Sequence, residues 1–207
     1  MRLEAIHFGN AQLGMSAGAI IVPGDRLRAG PSFTLANRVH RAVWQAVWFL
    51  FASWTPNAFR PWRRFLLKLF GAKLGHRSDV RGSARVWYPP NLLMGDCVLL
   101  GPHVNCYNMA PITLESWALV SQGAHLCAGT HDIRSAEFQL MARPITVGAK
   151  AWIAAEAFVG PGVTVGSGAV LGARGAAFSH LEPWTVYRGN PAVAIGPRRM
   201  RDESRSP

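Results

Sequence analysis

Residues 144–192 decide the fold, and they read PITVGAKAWIAAEAFVGPGVTVGSGAVLGARGAAFSHLEPWTVYRGNPA. An aliphatic residue recurs there every six positions, usually followed by glycine, at Val147, Ile153, Val159, Val165 and Leu171. A helix repeats its buried face every three or four residues and a strand every two, so a period of six fits neither. A hexapeptide repeat is typical of a parallel β-helix, whose strands are short and whose coils are triangular. We expect the aliphatic residues to point inward and glycine to relieve the backbone at tight corners.

The same frame continues towards the N-terminus. Each coil of three hexapeptides is eighteen residues long, and the inward positions are Leu74, Val80, Val86, Met94, Leu100, Cys106, Leu114, Val120, Leu126, Val147, Ile153, Val159, Val165, Leu171 and Ala177. All of them are apolar, which a globular β-protein with glycine-rich turns would not maintain over about a hundred residues. A long interruption, 132–146, separates the third coil from the fourth. The sequence therefore predicts an all-β fold, a parallel β-helix of about five triangular coils over 71–192.

The β-helix has extensions on both sides. Residues 1–32 are polar and contain Gly and Pro, which predicts a poorly ordered tail, and residues 193–207 predict a C-terminal tail. Between the first tail and the β-helix, residues 33–70 predict a helical extension. Apolar residues at three- and four-residue spacings place its helices at 37–51 and 61–70.

Two interpretations of these helices compete. They pack against the first coil and cover the open end of the prism, or they lie in a membrane interface, where Trp is favoured and basic residues meet anionic lipid. A peripheral anchor of this kind would use Trp44, Trp48, Trp54, Arg38, Arg41, Arg60, Arg63 and Arg64. We favour packing, although one Trp-rich helix is able to do both.

The composition restricts the partners. A net charge of +11 indicates an anionic partner, either a phosphorylated cofactor or a membrane surface. Nucleic acid is not expected, because no basic helix or binding motif accompanies the charge. The three cysteines, Cys97, Cys106 and Cys127, have no metal-ligand spacing, so we expect a reducing cytoplasm, no disulfide framework and no metal. No secretory signal is recognisable, and the expected location is cytoplasmic, at most peripheral at the inner membrane face.

Five stretches carry a resemblance to a known family: WRRFLLKLFGAKLG (62–75), NCYNMAPITL (105–114), VSQGAHLCAGTHD (120–132), AWIAAEAFVGPGVTVGSGAVLGA (151–173) and PWTVYRGNPA (183–192). The chain resembles the hexapeptide-repeat acyltransferases, and among them the colanic acid and exopolysaccharide biosynthesis O-acetyltransferases. The resemblance spans roughly residues 33–200, and the THD and GNPA segments are its most specific parts. It implies a left-handed β-helix, a homotrimer with coenzyme between subunits, acetyl-CoA as donor, and a sugar or lipid-linked oligosaccharide as acceptor.

The resemblance also assigns the catalytic and acceptor residues. The family's catalytic base is the histidine of the THD segment, which is His131 here. An imidazole titrating near neutral pH suits removal of a proton from a sugar hydroxyl as its oxygen attacks a thioester. Asn105 and Asn108 match a segment that lines the acceptor site, and Asp132 either orients His131 or begins the loop that follows.

The coenzyme residues follow in the same way. Trp152 matches a Trp beside the pantetheine arm, and the small residues that would let the arm lie against the coils are Ala154, Ala155, Gly172 and Ala173. Arg188 and Asn190 of the closing RGNPA stretch are assigned to the coenzyme too. The Lys residues that relatives use near the phosphates are missing, because Phe178-Ser179-His180 and Val193 stand in their places. The candidates to replace them are Arg174, Arg188, Arg198 and Arg199.

Two other functions remain open. His103, His125 and His131 suggest a γ-class carbonic anhydrase, a zinc lyase on the same fold, although their spacing does not match that family. A catalytically silent scaffold is the other alternative, and it leaves the THD and GNPA segments unexplained. An acetyltransferase accounts for more of the sequence than either.

Overall fold

A computed structural model describes residues 15–16, 19–21, 32–136 and 138–200. A parallel β-helix with three faces forms most of it. Face 1 consists of Lys73–Leu74, Leu92–Met94, Ile112–Leu114, Ile145–Val147 and Thr164–Val165. Face 2 consists of Asp79–Val80, Leu99–Leu100, Leu119–Val120, Trp152–Ile153, Val170–Leu171 and Thr185–Arg188. Face 3 consists of Arg85–Val86, Asn105–Tyr107, His125–Cys127, Phe158–Val159 and Ala176–Ala177.

The strand register confirms the six-residue frame. Val80, Leu100, Val120, Ile153 and Leu171 align on face 2, and the predicted inward positions align in the same way on the other two faces. Nearly all of them are buried in one continuous core. The coil count is about six, because Leu181 bridges to Val165 and Tyr187 pairs with Leu171 as the start of a further turn. An aromatic residue interrupts the aliphatic pattern there, which is why the sequence indicated five.

Glycine at the corner between faces 1 and 2 has a different cause from the one expected. A Cβ on Gly75, Gly148 or Gly166 would lie 2.5–2.6 Å from the backbone of the next coil. These glycines have no positive φ; the left-handed position of the corner comes two residues later, at Arg77 and Lys150 for example. Close approach of successive coils, not backbone conformation, therefore requires these glycines.

Two helices cover the first coil. Helix α1 spans Leu35–Phe51. Thr34 caps its N-terminus, since the Thr34 hydroxyl accepts from the backbone N–H of Asn37 at 3.2 Å. A 3₁₀ turn, Asn57–Phe59, leads into helix α2, Arg60–Leu69, and a second turn, Pro89–Asn91, forms a corner of the first coil. Among the described residues, no helix is long and apolar enough to cross a membrane.

The packing interpretation of the helices is confirmed. The indole N–H groups of Trp44 and Trp48 donate to backbone oxygens of the first coil, Val86 O at 2.7 Å and Gly82 O at 3.0 Å respectively. Both rings are buried. The suggested membrane anchor is therefore wrong in part, because Trp44, Trp48 and Arg63 are inaccessible to lipid.

Arg63 of α2 holds the helices to the β-helix. It is wholly buried, and its guanidinium donates to Val80 O at 2.7 Å, Pro56 O at 2.8 Å and Thr55 Oγ1 at 3.1 Å. It also pairs with Asp79 at 3.2 Å. A buried charge is tolerated when its donors are all used in this way.

The long interruption forms a hairpin at the corner between faces 3 and 1. Its antiparallel strands are Gly129–His131 and Leu140–Ala142, with His131 opposite Leu140. The short strand Ala19–Ile21 extends this sheet beside Leu140–Ala142, and Met15–Ser16 pairs with Ala19–Ile21 in turn. No periodicity within 1–32 indicated these two strands; apart from Ser32, the other residues of that segment lie outside the described part of the chain.

The C-terminal extension also begins with a strand. Val193–Pro197 pairs antiparallel with Thr185–Arg188. Arg198 then donates to Lys150 O at 2.8 Å and to Gly168 O at 2.9 Å. Residues 193–200 were expected to form part of a tail, but they add an edge strand to face 2, and 201–207 lie outside the described residues.

Candidate active site

His131 is held in one ring orientation by the hairpin that carries it. Its Nδ1 lies 2.7 Å from the backbone oxygen of Phe138. A carbonyl oxygen only accepts, so in the neutral imidazole Nδ1 carries the proton and Nε2 keeps its lone pair. The hairpin therefore prepares Nε2 to accept a proton from a molecule that approaches it.

Asp132 begins the loop and does not hold the ring of His131. Its carboxylate accepts from the backbone N–H of Arg134 at 2.9 Å, an arrangement that stabilises a turn. Of the two roles considered for Asp132, the geometry supports the structural one. The carbonyl of Phe138 fills the orienting role, and no sequence motif marks a backbone oxygen.

Asn105 and His125 form a pair on the outer surface of face 3. Their strands are neighbours, and the Asn105 Nδ2 lies 3.3 Å from the His125 Nε2. Burial lowers the pKa of His125 below its ordinary value, because desolvation disfavours the charged imidazolium. A neutral His125 accepts from the amide of Asn105, which leaves the amide oxygen of Asn105 free to face a ligand.

Asn108 has a structural role in this geometry. Its side chain is wholly buried, its Oδ1 accepts from the Tyr88 N–H at 3.0 Å, and its Nδ2 donates to Tyr88 O at 2.7 Å. Asn91 bonds to the backbone oxygens of Asn108 and Met109. The expectation that Asn108 contacts the acceptor is not supported, because both ends of its amide are used by the preceding coil.

Four of the predicted coenzyme residues stack at the corner between faces 2 and 3. This small-residue corner consists of Ala154 and Ala155 in the fourth coil and Gly172 and Ala173 in the fifth. The N–H of Ala154 donates to Leu171 O at 2.9 Å, which sets the two coils directly in line. Ala154 is buried and Ala173 exposed, so these four positions carry no long side chain, although Glu156 and Arg174 follow them directly.

Trp152 and Arg188 lie at two sides of the small-residue corner. Trp152 is half exposed on face 2, where its Nε1 donates to Ser121 Oγ at 2.9 Å. Arg188 is exposed in the sixth turn, and a Cβ on Gly172 would lie 3.5 Å from the Arg188 Cβ. The structure thus brings together an indole, a corner of small residues and a cation.

Asn190 and the candidate cations Arg174 and Arg198 lie at different places on the β-helix. The exposed Asn190 follows Gly189, whose oxygen accepts from the Ala176 N–H at 2.9 Å above the last strand of face 3. Arg174 directly follows the small-residue corner and pairs with Glu156 at 2.6 Å on the surface. Arg198 lies at a different corner, bonded to Lys150 and Gly168, which disfavours a role beside the coenzyme.

His131 and the small-residue corner lie on opposite edges of face 3. The hairpin projects from the β-helix after Cys127, at the corner where face 3 meets face 1. Ala154 and Ala155 instead precede Phe158, at the corner where face 2 meets face 3. One prism therefore presents its histidine and its small-residue corner in different directions. A site that uses both would combine them from two neighbouring chains.

A cleft of about 750 Å³ separates the end of α1 from the first two coils. Its lining mixes aromatic and polar side chains, among them Trp48, Phe49, Ser83, Arg85, His103 and Asn105. Among these residues, only Asn105 for the acceptor and His103 for zinc were expected from the sequence to bind a ligand. The other lining residues were missed because no motif records that α1 would pack across this part of face 3.

Neither a cysteine nucleophile nor a metal centre is favoured. Burial raises the pKa of Cys106 to about 12, and it also raises the pKa of Cys127, against a smaller opposite effect of the hydrogen bond to Gly129. Across the described part of the chain, no three His, Cys, Asp or Glu side chains meet in a group that could hold a metal ion.

Comparison with known proteins identifies relatives that cover most of the chain. No protein-family profile matches the chain. Over 166 residues, 80% of this chain and 91% of the relative, it is 42% identical to an Escherichia coli (strain K12) protein provisionally named colanic acid biosynthesis acetyltransferase WcaF. The galactoside O-acetyltransferase of the same organism is 24% identical over 144 residues, 68% of this chain and 71% of the relative.

Solved structures support the fold. A hexapeptide-repeat acetyltransferase from Vibrio cholerae, complexed with acetyl coenzyme A, superposes with a TM-score of 0.72 at 19% identity, over 83% of this chain and 94% of that one. A galactoside acetyltransferase in complex with coenzyme A gives a TM-score of 0.68 at 19% identity, over 82% and 86%. With the extended similarity to WcaF, these findings show that the chain belongs to the hexapeptide-repeat acetyltransferases.

Proposed function

We propose that this acetyltransferase moves the acetyl group of acetyl-CoA to a sugar hydroxyl in exopolysaccharide biosynthesis, with His131 as general base. The observation that carries the proposal is the hydrogen bond from His131 Nδ1 to Phe138 O, which leaves Nε2 as a proton acceptor. The name of the WcaF relative supports the biosynthetic role, and the named coenzyme complexes support the donor.

The reaction needs one base and no covalent enzyme intermediate. Nε2 of His131 takes the hydroxyl proton while the sugar oxygen bonds to the thioester carbon. The tetrahedral intermediate then collapses, the carbon–sulfur bond breaks, and the thiolate of coenzyme A takes the proton from the imidazolium. The raised pKa values of Cys106 and Cys127 agree with this direct route.

The oxyanion requires N–H donors close to the thioester. The amides of Ala154 and Gly172 already donate to Leu171 O and Tyr187 O in the next coil. Residues Ala155 and Ala173 follow them directly, and their amides are our candidates to stabilise the oxyanion.

The acceptor sugar occupies the cleft between α1 and the first two coils. Aromatic rings with amide and hydroxyl groups suit a sugar, which presents apolar faces and several hydroxyls. Asn105 lies in this cleft, and its pairing with His125 fixes its amide. Asn105 and the hairpin that carries His131 both belong to face 3 of one chain, and the proposal requires the acceptor to reach from the cleft to His131.

The acetyl donor lies along the small-residue corner of a neighbouring chain, in a homotrimer. The opposite placement of His131 and this corner on face 3 supports a shared site. Arg188 and Arg174 take the place of the missing Lys beside the coenzyme phosphates. In this assembly Trp152 borders the pantetheine arm.

The experiment that tests the function combines purified protein with acetyl-CoA and a panel of sugars, nucleotide sugars and lipid-linked oligosaccharides. Thiol release is followed together with the mass of each acceptor. We expect acceptor-dependent release and a product heavier by one acetyl group. Thiol release with no acetylated product from any acceptor would overturn the proposal.

The alternative zinc lyase receives no support from a described feature. Its suggested ligand His125 is engaged with Asn105, and the described residues contain no metal-holding group. Stoichiometric zinc in the purified protein, with hydration of carbon dioxide, would favour it over acetyl transfer.

Replacing Arg188 with alanine should raise the KM for acetyl-CoA about tenfold and leave kcat nearly unchanged. The reason is that a phosphate contact far from the thioester contributes equally to the ground state and the transition state. Acetyl-CoA without its 3′-phosphate, measured with both enzymes, tells which phosphate is contacted. Arg77→Ala, an exposed arginine of the first coil, is the matched control. An unchanged KM would show that Arg188 does not contact the donor.

A further inference from the structure

The side of α1 that faces away from the β-helix is apolar. The side of α1 that carries Trp44 and Trp48 is buried against the β-helix. The opposite side is formed by Leu35, Val39, Ala42, Val43, Ala46, Phe49 and Leu50. Phe49 is 72% exposed. The loop and α2 add Trp54, Phe59, Trp62, Phe65 and Leu69, all exposed. The two sets meet at the last turn of α1, where Trp54 and Trp62 bond to the backbone of Leu50 and Phe51. We call them together the helical apolar face, and so many large exposed apolar side chains are rare on soluble proteins unless they bind something.

The exposed tryptophans of this face have no unmet hydrogen-bond donor. Trp54 Nε1 donates to Leu50 O, and Trp62 Nε1 donates to Phe51 O, both at 2.8 Å. The ring of Trp62 also stacks on Phe65, with centroids 5.7 Å apart. Since each indole N–H is already hydrogen-bonded, these rings can be transferred from water to an apolar environment without leaving a donor unsatisfied.

The charge around the helical apolar face has one sign. Residues 33–78 contain no Asp or Glu, while the basic side chains exposed in this segment are Arg38, Lys68, Lys73 and Arg77. Two copies of this face brought together would bring like charges together. An anionic surface with an apolar layer beneath complements both features, and a lipid bilayer has that arrangement.

We propose that the helical apolar face docks into the interfacial layer of an anionic lipid bilayer. Phe49 belongs to this face and also lines the cleft between α1 and the coils. Docking therefore brings the mouth of that cleft to the lipid surface. If the cleft holds the acceptor, as in the proposed function, the acceptor is presented from the membrane, as a lipid-linked sugar would be.

The test uses the full chain and no acetyl-CoA, so its result is independent of catalysis. Protein is sedimented with vesicles of phosphatidylcholine alone or mixed with phosphatidylglycerol, at low and high salt. We expect binding to the anionic vesicles, weakened as salt screens the basic residues. The double variant Phe65→Gln, Leu69→Gln should bind at least about tenfold more weakly, because two large apolar side chains no longer leave water.

Matched controls separate docking from misfolding and from adhesion by charge alone. Val193→Gln, Ile195→Gln removes two exposed apolar side chains from the C-terminal strand and should leave binding unchanged. Circular dichroism and thermal unfolding verify that each variant folds. Lipids brominated on their chains should quench tryptophan fluorescence of the native protein, and less so in Trp54→Phe, Trp62→Phe.

Three results would overturn the proposal. One is no binding of the native protein to anionic vesicles, and another is equal binding by the Phe65→Gln, Leu69→Gln variant. The third is an assembly larger than a trimer that the same variant dissolves, which would make the face a protein–protein interface. In each case acetyl transfer to a soluble acceptor would be unaffected, so the proposed function is judged separately.

Discussion

His131→Ala is expected to lower the turnover number for acetyl transfer by about a hundred- to ten-thousand-fold, the usual contribution of a general base. The ring of His131 is fixed by Phe138 O, and the described geometry places no second base in this role. Acetyl-CoA affinity should be almost unchanged, since the proposed donor site lies at the small-residue corner. Steady-state kinetics and calorimetric titration with acetyl-CoA measure the two effects separately.

The matched control is His76→Ala, which removes an exposed histidine from a corner of the first coil. It should retain the native turnover number. Near-native turnover by His131→Ala would contradict the assignment and turn attention to Asp132. A large loss of acetyl-CoA affinity would instead place His131 in the donor site.

Arg63→Met is expected to lower the free energy of unfolding by about 3–5 kcal/mol, because it breaks a buried ion pair and leaves the Asp79 carboxylate poorly compensated. Asp79 would lose its buried partner and keep only Arg81, at 3.5 Å. The backbone oxygens of Val80 and Pro56 would also lose their donor. The midpoint of thermal unfolding should fall by roughly 10 °C for a chain of this size.

Two further variants test the reason for this loss. Lys68→Met changes an exposed cation of the same helix and should be nearly neutral. Adding Asp79→Asn to Arg63→Met should recover part of the lost stability, since the unpaired carboxylate is removed. A loss of less than about 1 kcal/mol for Arg63→Met would show that the helices hold to the β-helix without this pair.

The repeating part of the fold could be predicted closely, and the site only in part. A fixed interval reports the inward positions directly, so Leu74, Val120 and Leu171 were placed in the core from spacing alone. The sixth turn escaped notice because Tyr187 breaks the aliphatic pattern. The same spacing could not give the cause of the corner glycines, which depends on how closely the next coil approaches.

The spacing of apolar residues could not predict contacts between segments that are distant in the sequence. Asn108 has the same sequence signature whether it faces a sugar or bonds to Tyr88, and only the stacking of coils decides between them. The strand Ala19–Ile21 beside the hairpin has no periodicity to reveal it. The apolar spacing of α1 was visible in the sequence, but it did not show which side of the helix packs on the β-helix. The buried side is the one that carries Trp44 and Trp48.

The central claim is that His131 of one subunit acts on acetyl-CoA held by the small-residue corner of its neighbour. Co-expression of two inactive variants tests it most directly. His131→Ala removes the base, and Ala173→Trp fills the exposed part of the corner, with Ala173→Ser as the conservative control.

In randomly mixed trimers, each site draws its base from one chain and its corner from the next. We expect either variant alone to be inactive and the mixture to recover about one quarter of the native rate. A mixture as inactive as its components, although sedimentation and mass spectrometry show mixed trimers, would contradict a site shared between chains.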